Sequence, residues 1–424
     1  MARARGIVIA HLALRNVLRN WRHSLATVVA IVAGFVAVAM FDGYLQDLRG
    51  QTSESAIHRG MLGHVIIEKQ GARAHHFEEP WDYSLTVPEQ RFVERFLLPW
   101  KSDGRERAAL RVLLMSGLIS NGRSSALFLG IGYDVQEGLA IRGENWAWDA
   151  IDGKPLHLAT GPAMMIGKGL AGRFEARLPG ELFQLSVTTE KAQVNAVNLA
   201  AAGAVDLMTR EVNDTYVALP LQAAQDLLDT QQISRICVLL ADPAAAPRFI
   251  REFTAAAAGE GLLLTATPWL DHPAAATAKG GLEILGVFRN LFLLVVVVVA
   301  GMSVANTAMK SVNERVREIG TLRSYGFRAR DIQLLFSLEG LLLGLLACGV
   351  GIAIAAGAGA LISSLGITYE AGVLSTPIPL RIAMAPGTWA ASAAGMSLIT
   401  FAAAWVVSGK RSRLVIAESL RYVA

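Results

Sequence analysis

The chain has 424 residues, of which 53% are hydrophobic and 17% are charged, and its mean hydropathy is +0.41. Soluble globular proteins carry about 25% charged residues. Here the deficit is concentrated in a few long apolar runs, which excludes an ordinary soluble protein and indicates a membrane protein. The net charge of +4 does not indicate a nucleic-acid partner, because the basic residues stand beside the apolar runs.

The first element in chain order is a basic amphipathic segment, residues 7–22. Its apolar positions fall on one helical face, and its basic positions fall on the opposite face. The apolar set is Ile7, Ala10, Leu14, Val17, Leu18 and Trp21, and the basic set is His11, Arg15, Arg19 and Arg22. This pattern predicts a helix along the cytoplasmic membrane surface, with Trp21 at headgroup level. The alternative is a plain extension of the first membrane span.

Four segments are apolar over the roughly 20 residues that a helix needs to cross a bilayer. The predicted organisation is an amphipathic helix at 1–23, spans at 24–46, 283–308, 333–365 and 384–408, an extracytoplasmic domain at 47–282, a cytoplasmic helix and loop at 309–332, an outer loop at 366–383 and a cytoplasmic tail at 409–424. A cleaved signal peptide ending near Ala39 is the alternative for the first span. Its apolar stretch is longer than the 7–15 residues usual in signal peptides.

Basic residues set the expected orientation. They cluster before the first span, between the second and third spans, and after the fourth, whereas the loop at 366–383 holds only Arg381. Since basic loops stay in the cytoplasm, both termini should be cytoplasmic. The large domain should then be extracytoplasmic.

The domain between the first two spans mixes strand and helix patterns irregularly, which predicts an α+β fold. Strands are expected at 64–69, 126–135, 181–190 and 235–242, and helices at 219–229 and 247–258. The two cysteines, Cys237 and Cys348, are not expected to form a disulfide, because the second lies inside an apolar run.

We identify no catalytic residues and no metal site in the sequence. The candidate ligands are His64, His75, His76, His272, Glu78, Glu79 and Asp271. They lack HExxH or comparable spacing, and solvated polar surface is the expected role for them. The chain also has no Walker A motif, so ATP hydrolysis and its magnesium are not expected here. We therefore expect a non-enzymatic chain without a cofactor of its own.

The stretch after the second span, residues 306–346, combines charge with a small apolar ridge. Glu318 can pair with Arg315 along a helix, and Glu314 can pair with Arg317. Ile319 and Leu322 form the ridge beside them. Such a helix can seat in a groove of a soluble partner, and the alternative is that the basic residues only set topology and bind anionic lipid.

This stretch resembles the signature of FtsX-like, MacB-type permeases of ABC transporters. The matching residues are Glu314, Arg315, Arg317, Glu318, Ile319, Gly320, Leu322, Arg323, Gly326, Arg328 and Glu339. MLGHVIIEK and MIGKGLAGRFEARLPGELFQLSV resemble parts of the family's external core. The tail RSRLVIAESLRY resembles the family's C-terminus, so the resemblance covers most of the chain, with Tyr325 replacing a commonly small residue.

The resemblance implies that residues 314–326 form a coupling helix that receives motion from a separate ABC ATPase subunit. It also implies a dimer with a second permease copy or paralogue, and nearest in layout are the lipoprotein-releasing permeases. The favoured function is ATP-driven export or extraction of a hydrophobic or lipid-anchored cargo, such as a lipoprotein passed to a periplasmic acceptor. The alternatives are signal transmission to an extracytoplasmic partner without transport, and a membrane-anchored sensor that has no ATPase.

The third span carries two further features. Glu339 should lie about 12 Å along the helix from Asp331, and we expect it to pair with Arg328 or Arg330. Gly340, Gly344, Gly349 and Gly351 have a spacing that favours close helix packing, for which a dimer is one candidate. The spans otherwise hold almost no buried charge, so an ion pathway is not expected.

Overall fold

The computed structural model describes residues 2–19, 21–75, 80–146, 150–159, 161–207, 209–369, 375 and 377–411. The chain divides into two compact units. One contains residues 1–49, 282–367 and 379–424, and the other contains residues 50–281 and 368–378. The first unit holds the apolar helices and is called the membrane unit. The second unit is the large domain.

The described chain contains long apolar helices and shorter helices. They are α1 (Ala2–Arg19), α2 (Trp21–Glu54), α3 (Ala72–His75), α4 (Val87–Ser102), α5 (Val135–Trp146), α6 (Lys168–Arg173), α7 (Arg210–Asn213), α8 (Leu221–Leu228), α9 (Ala246–Gly259), α10 (Ala276–Glu314), α11 (Val316–Ser324), α12 (Ala329–Ser364) and α13 (Pro386–Arg411). Four of them, α2, α10, α12 and α13, are long and apolar enough to cross a membrane. The four predicted spans are confirmed.

The strands of the large domain form one mixed sheet. They are β1 (Val65–Lys69), β2 (Glu106–Ser120), β3 (Ser125–Tyr133), β4 (Ala150–Gly153), β5 (Ala163–Gly167), β6 (Leu182–Thr188), β7 (Val194–Val205), β8 (Tyr216–Pro220), β9 (Arg235–Leu240) and β10 (Leu264–Pro268), followed by the short pair β11 (Thr368–Tyr369) and β12 (Ile378–Pro379). The order is β10-β1-β9-β2-β3-β8-β5-β7-β4, and β6 pairs with both β2 and β7. The pairing therefore closes into a six-stranded ring, β2-β3-β8-β5-β7-β6.

The core of the domain lies on both faces of the sheet. On one face α4 and α9 meet through an aromatic cluster, in which Trp100 and Phe249 have ring centroids 4.9 Å apart. Phe92 and Phe253 complete this contact and are 5% and 0% exposed. The other face packs the residues around Ile66 and Tyr133. The predicted α+β fold and its strand and helix positions are confirmed, with boundaries shifted by a few residues.

Two histidines that we expected on the surface are buried. His64 is 9% exposed and accepts a hydrogen bond from the Leu240 amide at 3.1 Å. His272 is 8% exposed and lies 3.1 Å from Glu68. The expectation of solvated surface was therefore wrong for these two, because each replaces water with a hydrogen bond inside the domain. Within the described ranges no group of three His, Cys, Asp or Glu could hold a metal; His76, Glu78 and Glu79 lie outside those ranges.

Glu68 is a buried carboxylate on β1 with two partners. Its side chain is 5% exposed; Arg73 Nε donates to it at 2.7 Å, and His272 Nε2 lies at 3.1 Å. The Ala274 amide donates to His272 Nδ1 at 3.1 Å, so the ring carries its proton on Nε2 and donates it to Glu68. Burial alone would raise the pKa of Glu68, but the hydrogen bonds from His272 and Arg73 outweigh it and lower that pKa.

The lowered pKa of Glu68 predicts acid sensitivity in this part of the domain. A carboxylate with a depressed folded-state pKa stabilises fully above its ordinary value of 4.5 and loses that stabilisation as the pH falls through the folded-state value. We expect hydrogen-exchange protection of β1 and β10 to fall below about pH 4.5, and less steeply in Glu68→Gln. Glu260→Gln, which removes an exposed carboxylate near Arg95, should keep the wild-type slope; equal slopes in all three proteins would contradict the assignment.

In the membrane unit, α12 and α13 form the most extensive helix pair. A Cβ added to Gly340 would lie 2.9 Å from the Thr400 carbonyl oxygen, and Gly344 also lies against Thr400 and Ser397. Gly351 lies against the Phe35 ring, whereas Gly349 faces open space. The predicted small-residue contact is therefore made within the chain, between α12 and its neighbours α13 and α2, which lets the backbones approach closely.

The spans are not as free of charge as expected. Asp42 on α2 is 7% exposed, and Arg289 on α10 donates to it through both Nε and Nη2, the latter at 3.4 Å. A charge is tolerated at such a position because its partner neutralises it. The pair fixes α2 to α10, whose most apolar stretch is only 6% buried within the chain.

The N-terminal helix is present, and it packs on the chain through Val17 of the predicted apolar face and through Ile9 and Ala13 outside that face. Ile9, Ala13 and Val17 are buried, whereas Leu14 and Leu18 are 45% and 66% exposed. Ile9 and Ala13 pack with Leu335 at the start of α12. The helix thus divides its apolar residues between a protein-packed stripe and an exposed stripe, and the side chain of Trp21 lies outside the described set.

Candidate functional site

The short helix α11 is separated from its two long neighbours by local breaks. Arg315 has φ −112° and ψ 21°, which interrupts the helical path between α10 and α11. After Ser324 the chain turns at Gly326, whose φ of +92° is a left-handed conformation that glycine adopts without a Cβ penalty. Arg328 then precedes the first residue of α12. These breaks place α11 across the gap between the second and third spans.

Arg315 is the centre of a charged network. Its side chain is only 11% exposed. Its Nε donates to Glu318 at 2.7 Å, and its Nη1 donates to Glu339 at 3.1 Å. The guanidinium also lies 5.4 Å from the centre of the Phe336 ring. One buried arginine therefore joins the first turn of α11 to α12, because different nitrogens of its guanidinium donate to two different carboxylates.

The N-terminal helix completes this network. Asn16 on α1 donates to Glu339 at 2.6 Å, and Arg19 Nη2 donates to Glu318 at 3.3 Å. Glu339 is 12% exposed, so its two partners provide the compensation that a buried carboxylate requires. The network thus runs Asn16–Glu339–Arg315–Glu318–Arg19 and ties α1, α11 and α12 together.

The ionic network shifts the pKa values of Arg315 and Glu318. Burial on its own would lower the pKa of Arg315, but the adjacent Glu339 and Glu318 carboxylates outweigh it and raise that pKa above its ordinary value. Partial burial of Glu318 would raise its pKa, but the hydrogen bond and charge of Arg315 lower it. Both groups therefore stay charged at neutral pH, and the network is a fixed ionic clamp.

Hydrophobic contacts beside the ionic clamp also hold α11 in place. Ile319 is 5% exposed and packs with Val312, Ile332 and Phe336. Leu322 is partly buried against the same cluster and also against the cluster that contains Ile9 and Ala13 of α1. The helix is therefore fixed to the membrane unit by both apolar contacts and charge.

The opposite side of α11 is open. Tyr325 is 80% exposed, although large aromatic side chains usually bury most of their surface. Glu318, Thr321, Ser324 and Arg328 are exposed as well. We name Thr321, Ser324, Tyr325 and Arg328 the open face of α11.

The nine residues predicted to contact a partner divide between these two sides. Arg315, Ile319 and Gly320 are buried or nearly so, Leu322 and Arg323 are half-buried, and Glu314, Glu318 and Gly326 are exposed. The apolar ridge of Ile319 and Leu322 was expected to meet a partner, but it packs inside the chain instead. Glu314 lies 3.9 Å from Lys310, and the side chain of Arg317 is outside the described set.

The expected partners of Glu339 were wrong. Arg328 and Arg330 stand at the first turn of α12, two to three helical turns from Glu339, and both are exposed. Arg315 reaches Glu339 instead, because the break before α11 points the arginine back toward α12.

Asn16, Arg19 and Tyr325 are the site residues that the sequence did not single out. Arg19 appeared only as one member of a basic face, and Tyr325 only as a departure from a commonly small position. Asn16 is a polar residue between the apolar positions of α1, which is a signal for a buried hydrogen bond. Its partner could not be deduced, because Glu339 lies 323 residues away.

Two family models match the chain. Residues 24–256 match the MacB-like periplasmic core domain, and residues 290–416 match the FtsX-like permease C-terminal region. The first match includes more than half of the 424 residues, and the second includes most of α10 and all of α11, α12 and α13.

Individual proteins are similar over shorter stretches. The macrolide export ATP-binding/permease protein MacB of Brucella abortus (strain 2308) is 35% identical over 126 residues, which is 30% of this chain and 19% of that protein. The protein of the same name from Hyphomonas neptunium (strain ATCC 15444) is 40% identical over 85 residues, or 20% of this chain and 13% of that protein. The matched stretch is thus less than a fifth of the length of each relative.

Two solved structures are similar to part of the chain. The periplasmic region of MacB from Actinobacillus actinomycetemcomitans is 12% identical, with a TM-score of 0.35, over 53% of this chain and 95% of that one. The extracellular domain of the ABC-type transporter YknZ from Gram-positive bacteria is 10% identical, with a TM-score of 0.34, over 48% of this chain and 98% of that one. On the two family models, the chain belongs to the FtsX-like permeases that carry a MacB-like periplasmic core domain.

Proposed function

We propose that this chain is the transmembrane subunit of an ABC transporter, and that α11 docks onto a separate ATPase subunit. ATP and magnesium would be bound by that subunit. ATP-driven closure of the ATPase displaces α11, and the spans carry this displacement to the large domain. Both termini and α11 would lie on the cytoplasmic side of a bacterial inner membrane, and the domain would lie in the periplasm.

The observation that carries the proposal is the two-sided environment of α11. One side is clamped by Arg315 and seated through Ile319, so a force on the helix is passed to α1, α10 and α12 rather than dissipated. The other side presents Tyr325, and exposed aromatic residues are enriched among the residues that dominate protein interfaces. A helix that is packed firmly against the spans on one side and exposed on the other is suited to transmit a displacement from a bound partner.

The exposure of α10 supports assembly with a second permease copy or paralogue within lipid. Only 6% of its most apolar stretch is buried in the chain, against 22–33% for the other spans. Phe288 and Leu291 are 60% and 55% exposed. An apolar helix with so few contacts of its own is covered by lipid, by another membrane helix or by both.

For the cargo, we favour extraction of a hydrophobic or lipid-anchored molecule, such as a lipoprotein that is handed to a periplasmic acceptor. The alternative is a complex that regulates an extracytoplasmic partner without moving cargo. The purified complex in lipid should release a fluorescent lipoprotein to a soluble acceptor only when ATP is hydrolysed. If no lipidated candidate is released while ATP-dependent motion of the domain persists, signalling is the function.

The docking role makes a prediction for Tyr325. Because it lies at the centre of the open face, Tyr325→Ala should weaken binding of the ATPase subunit about thirtyfold, the effect of losing roughly 2 kcal/mol. The measurement is co-purification with the ABC ATPase subunit, followed by titration of that subunit against the chain in nanodiscs. Tyr44→Ala, on α2, is the matched aromatic control and should bind as the wild type does.

Charge reversal offers a second test of docking. The double variant Arg317→Glu/Glu318→Lys should abolish co-purification while membrane insertion stays normal. Glu318 also holds Arg315, so apparent stability must be measured in parallel. Undiminished ATPase recovery in this variant and in Tyr325→Ala would refute the docking role of α11.

A further inference from the structure

A polar cleft of about 540 Å³ opens on the large domain, where three helices begin. Val87 of α4, Val135 of α5 and Leu221 of α8 line it at the first position of each helix. This volume is within the range of ligand pockets in proteins. None of the features used above to propose a function belongs to this cleft.

Gln225 is the most informative residue of the lining. It is 8% exposed, so more than nine-tenths of it is buried. Among the residues that the structure describes, none forms a hydrogen bond with its side-chain amide, although the residue lines the cleft. The amide atoms are not among the fully buried, unpaired polar atoms of the described chain, so they are open to the cleft. The cleft is the side from which a partner can reach it.

A second buried glutamine, Gln90, has a side-chain carbonyl oxygen that is unpaired among the described residues. Gln90 is 7% exposed, and its Nε2 donates to the carbonyl oxygens of Leu85 and Gln231, both at 3.0 Å. Those two bonds fix the orientation of the amide and use both of its N–H groups. Within the described chain its Oε1 accepts no hydrogen bond, so the cleft offers an oriented acceptor beside the Gln225 amide.

The charges of the cleft are balanced. Arg111 lies 3.5 Å from Asp134 and 3.9 Å from Glu94, and Arg91 also lines the cleft. Two arginines and two carboxylates give no net charge, which disfavours a phosphate or another strongly charged ligand. Tyr133 is the aromatic residue of the lining and is 2% exposed, so it gives no open ring face on which a sugar could stack.

The start of α8 adds hydrogen-bond donors. Pro220 is its N-cap and no side chain caps the first turn, whereas Asp134 accepts from the amides of Gln136 and Glu137 at α5. Uncapped amides of a helix N-terminus bind carbonyl or carboxylate oxygens. Donors from α8 and Gln225 therefore face the acceptor of Gln90 across one neutral cleft.

We propose that this cleft binds an extended peptide segment of an extracytoplasmic protein. A peptide group presents one N–H donor and one carbonyl acceptor, which complement the Gln90 Oε1 acceptor and the Gln225 amide donor. A neutral main chain fits the balanced walls, and the five further glutamine and arginine residues of the lining can contact its side chains. This site is independent of α11 and of any ATPase.

The test uses the full-length chain in nanodiscs and a phage library of random heptapeptides displayed between flexible linkers. Enriched sequences are then made as peptides with acetylated and amidated ends, and their Kd is measured by fluorescence polarisation. We expect Gln225→Leu to weaken binding at least about tenfold, the effect of one hydrogen bond of roughly 1.4 kcal/mol. Gln184→Leu, at an exposed glutamine of β6 outside the cleft, should leave the Kd unchanged.

Thermal unfolding separates a binding role from a folding role. Because the Gln225 amide has no partner, Gln225→Leu and Gln225→Met should unfold at the wild-type temperature or above it. A clearly lower unfolding temperature in both variants would show that the amide serves the fold and would overturn the proposal. So would failure to enrich any peptide, equal binding by wild type and variants, or binding that requires a free C-terminal carboxylate. Binding of neutral oligosaccharides that is lost in Gln225→Leu would assign the cleft to sugars instead.

Discussion

Arg315→Ala should destabilise the membrane unit by about 3–5 kcal/mol, because it leaves Glu339 buried without a counter-charge. Glu339 is 12% exposed and, among the described residues, would keep only Asn16 as a hydrogen-bond partner. The measurement is an SDS unfolding titration in mixed micelles, monitored by tryptophan fluorescence. The same variant should also release the first turn of α11, which would appear as faster hydrogen exchange over 314–326.

A double variant tests whether the loss comes from the unpaired carboxylate. Arg315→Leu/Glu339→Leu should recover most of the stability, since apolar residues of similar size replace a buried ion pair at little cost. Lys310→Ala is the matched control: its contact with Glu314 is 3.9 Å long and exposed, so the expected change is below about 1 kcal/mol. Equal effects of Lys310→Ala and Arg315→Ala would contradict the clamp.

Arg289→Ala should separate α10 from α2, with a loss of the same order, about 3–5 kcal/mol. Asp42 has a side chain that is 5% exposed, so it would remain as an unpaired charge among apolar helices. Since α10 has few other contacts within the chain, this pair is a principal link between the first two spans. A cysteine cross-link between α2 and α10 should form more slowly in the variant.

The double variant Asp42→Asn/Arg289→Gln tests whether the loss in Arg289→Ala comes from the unpaired charge of Asp42. It keeps hydrogen-bonding groups at both positions and removes both charges, so it should restore most of the stability. Arg381→Ala, at the outer loop before the fourth span, removes a basic residue without touching the pair. If Arg289→Ala and Arg381→Ala behaved alike, the pair would not be a link between the spans.

The sequence predicted the parts of this protein that depend on composition and local pattern. Four apolar runs of span length could only be membrane helices, and β-branched runs such as HVIIEK gave strands where the structure has β1. Bilayer thickness and strand alternation impose these patterns locally, so they can be read without a structure. The motif around Glu314 to Gly326 likewise drew attention to the segment that forms α11, and its role in docking stays a prediction.

The partners within the site could not be predicted, because they depend on how distant helices pack. Glu339 was assigned to Arg328 or Arg330 by closeness in sequence, but the break at Arg315 brings a different arginine to it. Ile319 looked like a contact residue for a partner because its charged neighbours suggested an exposed helix, and only the packing of Phe336 and Ile332 shows that it is buried. His272 and Glu68 meet across 204 residues of sequence for the same reason.

Transmission of a displacement from α11 through the spans to the large domain requires that the two lie on opposite sides of the membrane. Cys237 and Cys348 are buried, and burial raises the pKa of the Cys237 thiol, so neither gives a labelling background. A membrane-impermeant maleimide is applied to intact spheroplasts that carry Ser124→Cys, at the β2–β3 turn, or Tyr325→Cys. We predict that Ser124→Cys is labelled at once and Tyr325→Cys only after permeabilisation. Labelling of both from the outside would contradict the account.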